Sequence, residues 1–160
     1  MSFKDLLARF AAAVEAGDGE ALAALFTADG VYHDTFYGAF TGRSAIARML
    51  RELFYRDAEA FRWDMYDPVS DGRIGYARWA FSYVSRMTES RGRRAAFAGM
   101  SRFVLAGDLI ERYDEAFNAG LAFVQLGMAP GRIATILGRM SDASLRTELL
   151  ADHIARRERT

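Results

Sequence analysis

Helical and strand-like spacings of apolar residues follow one another along these 160 residues in a fixed order, and that order constrains the fold more than any single motif. Phe3, Leu6, Leu7, Phe10 and Val14 keep helical spacing. Gly17-Asp18-Gly19 breaks it, and Leu22, Leu25 and Phe26 resume it in a short second helix. Ala28-Asp29-Gly30 reads as a turn, and Val31-Tyr32-His33-Asp34 as a short strand. After Gly38 and Gly42, Ser44 is the expected N-cap of a third helix carrying Ile46, Met49, Leu50, Leu53 and Phe54.

Beyond Asp67-Pro68 the spacing changes to period two. Residues 73–87, 93–105 and 109–117 are three extended segments joined by turns at 89–92 and 106–108, an antiparallel meander. Trp79, Phe81 and Tyr83 share one face of the first segment, and Arg78, Ala80 and Ser82 the other. Helical spacing returns from Leu121. Pro130 suits the first turn of a helix bearing Ile133, Ile136, Leu137 and Met140, and a last helix is expected from an N-cap at Asp142 to the charged stretch 156–159. Residues 1–160 therefore read as a single α+β domain, in which a curved antiparallel sheet wraps around the N-terminal helices as a cone and extra C-terminal helices follow. With 13% aromatic residues, such a cone can keep its interior as a pocket.

Composition excludes several kinds of function. Twenty-one basic residues balance 21 acidic ones, which argues against a nucleic-acid or membrane partner. The absence of Cys removes disulfides, thiolate nucleophiles and iron–sulfur clusters. The only lysine, Lys4, lies at the chain end, so no buried Schiff-base lysine is available. No apolar run approaches the roughly 18–20 residues of a membrane span, and Arg9 and Asp5 spoil a secretion signal, so a cytoplasmic location is expected. No Gly-x-Ser-x-Gly elbow and no glycine-rich phosphate fingerprint occurs.

Three stretches carry a family resemblance: Leu6-Leu7-Ala8-Arg9-Phe10 with Glu15-Ala16-Gly17-Asp18, Phe26 through Asp34, and Gly42-Arg43-Ser44-Ala45-Ile46. Together with the ending Gly107 to Phe117, they resemble the nuclear transport factor 2-like (cystatin-like) superfamily, and within it the SnoaL-like and ketosteroid isomerase-like cone proteins, over about residues 3–118. The resemblance specifies the fold more closely than the reaction, because its members include isomerases, polyketide cyclases, dehydratases, epoxide hydrolases and binding domains. It places Asp34 at the position of the isomerases' general base. Phe10 falls where those enzymes carry an oxyanion-donating tyrosine, and Met100 or Ser101 where they carry a protonated aspartic acid. Both donors are therefore missing.

The resemblance also puts Tyr113, Glu115 and Phe117 on the cavity side. A carboxylate at Glu115 facing Asp34 would separate the two pKa values into one acid and one base. The alternatives are an Asx turn capped by Asp34, and an ion pair of Glu115 with Arg78 or Arg102. Tyr32 shares the face of Asp34, as a hydrogen-bond donor or as core. His33 points the other way, to a sheet surface or interface. His33, Asp34 and Glu115 hold metal-ligating atoms without a metal-site spacing, and no metal is expected. The aromatic set Trp79, Phe81, Tyr83, Phe97 and Phe103 reads as core or dimer interface before ligand wall, and residues 121–128 as a lid or an interface element.

The expected site is thus Asp34, Glu115 and Tyr32 as acid/base and donor groups, with Phe10, Phe54, Trp79, Tyr113 and Phe117 around a pocket. A cofactor-independent isomerase, cyclase, dehydratase or hydrolase acting on a small hydrophobic carbonyl, aromatic or polyketide-like molecule fits this set, in a homodimer. A non-catalytic binding or accessory dimer is the alternative, and a structural dimer with a filled cone a third.

Overall fold

A computed structural model describes residues 1–157. Helix α1 (Phe3–Ala16) begins in a capping box in which Ser2 and Asp5 satisfy each other's backbone N–H groups. It ends at Gly17, whose positive φ of 68° closes the helix. Its apolar stripe of Leu6, Leu7, Phe10 and Val14 is buried, and α2 (Gly19–Ala24) follows, capped by Asp18.

Six strands form one sheet in the order β2-β1-β6-β5-β4-β3: β1 (Phe26–Asp34), β2 (Gly38–Thr41), β3 (Ala58–Ser70), β4 (Ile74–Ser85), β5 (Arg94–Ala106) and β6 (Leu109–Phe117). The chain is α+β, a curved open sheet packed with helices. The sheet is not wholly antiparallel as expected, since β1 runs parallel to β6. That pairing places Tyr32 beside Tyr113 and His33 beside Asp114. The expected turn at 28–30 lies within β1 as a register shift between Phe26 and Val31. Arg43 Nε holds the Phe26 carbonyl there at 2.8 Å, and the Gly42 N–H holds that of Gly30 at 2.8 Å.

Sequence reading passed over β3. It is an edge strand, which is where a strand tolerates Pro68, and a second register shift with Asp67 at φ 50° accommodates the proline. Two helix starts also differ. Helix α3 (Arg43–Met49) starts two residues earlier than an N-cap at Ser44 would dictate, with Gly42 at its cap and no side-chain cap bond. It continues through a π-helical turn, Leu50–Phe54, into α4 (Tyr55–Asp57). Asp142 caps nothing: α6 (Pro130–Leu145) runs through it, and the break at 146–147 starts α7 (Glu148–Arg157) instead. Positions 158 and 159 of the expected charged ending lie outside the described residues. Helix α5 (Ala119–Gln125) is tied to β5 by Gln125, which accepts from the Ala96 N–H at 2.6 Å and donates to its carbonyl at 2.9 Å.

No helix is long and apolar enough to cross a membrane among the described residues.

Candidate active site

Between the sheet and the tail helices lies a cavity of about 420 Å³. That is within the range of roughly 300–1,000 Å³ typical of small-molecule sites. Strand alternation builds one wall, because Trp79, Phe81 and Tyr83 on β4 and Phe61 and Trp63 on β3 all point inward. Phe97 and Phe117 stack at 4.6 Å and 10°, and Phe36, Tyr37 and Phe54 add further ring surface. From the tail come Phe123, Leu126 and Met128, so residues 121–128 form part of the cavity wall, while Leu121 and Val124 face solvent.

Two carboxyl groups interrupt this apolar surface. Asp34 ends β1 and is only 4% exposed. Its Oδ1 accepts the backbone N–H groups of Phe36 and Tyr37, each at 2.8 Å, which is the capped turn expected as the alternative reading. Oδ2 has no hydrogen-bond partner, yet it is not among the sealed polar atoms, so it opens onto the cavity. Burial, and secondarily the charge of Glu115, push the Asp34 carboxyl up to about 8 against its two N–H bonds.

Glu115 on β6 is held differently. Oε1 accepts the Thr35 N–H at 2.9 Å and Oε2 the Tyr113 hydroxyl at 2.8 Å. Tyr113 in turn receives a hydrogen bond from Ser101 at 2.9 Å, and Ser101 one from the Trp79 indole N–H at 2.8 Å. Burial raises the Glu115 carboxyl as well, but every hydrogen bond opposes the rise. The first proton of the pair therefore settles on Asp34, whose free oxygen can carry it, and Glu115 keeps the charge.

Glu115 pairs with neither expected arginine. Arg102 contacts Asp114 at 3.6 Å and Arg78 contacts Asp67 at 2.9 Å. Tyr32 borders the cavity through its ring, stacked on Phe10 at 5.9 Å and 6°. Its hydroxyl is sealed and unpartnered, as is the Trp63 indole nitrogen. Burial and the nearby carboxylates raise the Tyr32 phenol well above its ordinary value, so it stays neutral. Of the expected wall, Phe54, Trp79 and Phe117 are in place, whereas Phe10 and Tyr113 are wholly buried behind it. His33 stands on the outer face, 3.4 Å from Asp114.

Sequence reading missed Tyr37, whose hydroxyl donates to Asp57 Oδ2 at 2.7 Å, together with Phe61, Trp63 and the contribution of α6. The alternation Phe61, Trp63, Met65 was the available signal for the β3 residues. Phe81, Tyr83 and Phe97 line the cavity, and Phe103 lies in the core. No group of three or more His, Asp or Glu side chains is placed to hold a metal ion among the described residues.

Residues 7–113 match the family model of the SnoaL-like domain, and the chain belongs to that family. Solved structures agree on the fold. A protein of ketosteroid isomerase-like fold from Catenulispora acidiphila, in complex with trimethylamine, superposes with a TM-score of 0.71 at 19% identity, covering 80% of this chain and 96% of that one. TsrD from Streptomyces laurentii gives 0.67 at 20% identity over 79% and 95% of the two chains. An epoxide hydrolase from M. tuberculosis gives 0.63 at 17% over 84% and 94%. No curated protein matches the sequence.

Proposed function

We propose that this SnoaL-like protein is a cofactor-independent acid/base enzyme of the isomerase or cyclase type, acting on a small hydrophobic carbonyl or polyketide-like molecule, with Asp34 as the proton-transfer group. The observation that carries this reading is the asymmetry of Asp34: one oxygen is anchored by two backbone N–H groups, and the other is free on the cavity wall. In the productive form Asp34 is ionised. Oδ2 takes a proton from the carbon beside a carbonyl, the C–H electron pair moves into the carbonyl as an enolate, and Asp34 returns the proton at another position. A carboxylate with a pKa near 8 is a far stronger base than an ordinary one, although only about a tenth of it is ionised at pH 7. Glu115, fixed by Thr35 and Tyr113, holds a negative charge beside it and keeps its affinity for the proton high. Tyr32 serves as wall; it can donate to a ligand oxygen only if its ring shifts.

A non-catalytic binding protein is the second reading. Phe10 has no hydroxyl and that of Tyr32 is sealed, so neither position offers a donor to an enolate oxygen in this conformation. Native mass spectrometry of the purified protein, extraction of any bound compound and the same compound assayed with Asp34→Asn separate the two. An enzyme loses turnover in the variant and keeps binding. A compound bound equally by both proteins and never converted supports the binder.

A further inference from the structure

The charged groups on the cavity wall differ in whether they have partners. Asp57 is neutralised by Arg56 at 2.6 Å and also accepts the Tyr37 hydroxyl. Arg132, on α6, is ion-paired with Glu89 in the turn between β4 and β5. Arg139 lies seven residues further along the same face of α6, with Ile136 and Met140 beside it on the wall. It has no ion pair or hydrogen bond among the described residues. It is also exposed, whereas Asp34 on the β1 wall is buried, so it stands on the outer side of the cavity.

An unpaired guanidinium bordered by apolar surface favours one kind of ligand. Arg presents a planar set of donors matched to a carboxylate, and its weak hydration lets it work beside apolar groups. The buried carboxyl pair on β1 and β6 repels an anion, so a ligand with an acidic group would be oriented with that group towards the exposed Arg139 on α6.

Building on the pocket reading above, we propose that the natural ligand is an amphiphilic acid: Arg139 holds its carboxylate at α6, and its apolar, oxygen-bearing body lies among Trp79, Phe81 and Phe97 towards Asp34. Arg139 is then a specificity-determining residue that sets which end of the molecule meets the acid/base pair.

The test compares 2-naphthoate with methyl 2-naphthoate as probes, by calorimetric or fluorescence titration of the wild-type protein, Arg139→Gln and the surface control Arg48→Gln. The expected result is that wild type prefers the acid, that Arg139→Gln weakens it about tenfold and leaves the ester unchanged, and that salt weakens only the acid. Arg48→Gln should match wild type. If the ester binds at least as tightly as the acid, or if Arg139→Gln weakens both equally, the inference is overturned while the pocket reading stands. If neither probe binds, both are overturned.

Discussion

The Tyr113 hydroxyl donates to Glu115 Oε2 at 2.8 Å, and with the Thr35 N–H on Oε1 this engages both oxygens of the carboxylate. Asp34 has only Oδ1 engaged. That difference decides which of two buried acids receives the proton. It also follows from strand geometry, because Tyr113 and Glu115 lie two residues apart on one face of β6, while Asp34 ends β1 and turns into its own backbone.

The raised carboxyls make the fold sensitive to pH in a direction opposite to ordinary acid unfolding. Asp34 binds its proton up to about pH 8 in the folded state, against a reference value of 3.8. The folded state thus holds more protons than the unfolded one between these values, and stability falls as pH rises through that window. Glu115, raised from 4.5, acts in the same direction. The melting temperature should be higher near pH 5 than near pH 9, and Asp34→Asn, which keeps an acceptor for Phe36 and Tyr37, should flatten the slope and raise the value at pH 9. A melting temperature of wild type that climbs from pH 5 to 9 would count against buried neutral carboxyls.

Tyr113→Phe removes the donor to Glu115 and the acceptor of Ser101. Leaving those buried partners unsatisfied should cost about 1–3 kcal/mol in urea unfolding. It should also raise the Glu115 carboxyl further, so that the proton is shared more evenly with Asp34. An unchanged unfolding midpoint would show the chain from Trp79 to Glu115 to be incidental.

Gly19 lets α2 approach α3, since a Cβ there would stand within 2.5 Å of the Ala47 carbonyl oxygen. Backbone cannot yield as a side chain does. Gly19→Ala should destabilise the protein by about 1–3 kcal/mol, read as a lower thermal midpoint with Asp34 and the cavity chemistry unaffected.

Gly99 plays the corresponding part beside the site, where a Cβ would lie 2.5 Å from the Trp79 ring. Gly99→Ala should push that ring into the cavity. Weaker binding of a cavity ligand and a shifted tryptophan emission are the expected outcome, and an unchanged ligand affinity would contradict it.

Much of this architecture was legible in the residues. Helix α1, the meander from β4 to β6 and the start of α6 at Pro130 follow from spacing and turn chemistry, because local pattern and tertiary packing agree there. Strand β3 was hidden by Pro68, whose cost depends on the strand lying at a sheet edge, a tertiary fact. The parallel pairing of β1 with β6 is likewise set by long-range register. Asp34 and Glu115 were singled out as candidates because the β6 ending and the Asp34 turn resemble a known pattern. Arg139 and Asp57 were not, since an arginine on an amphipathic helix carries no sign of which way the helix will turn.

The most direct measurement is a carbon-13 NMR titration of the side-chain carboxyl of Asp34, assigned by comparison with Asp34→Asn. A midpoint near 8, moving down when Glu115 is replaced by Gln, is the predicted result. A midpoint near 4 would mean an ordinary carboxylate capping a turn, and the acid/base assignment would fall with it.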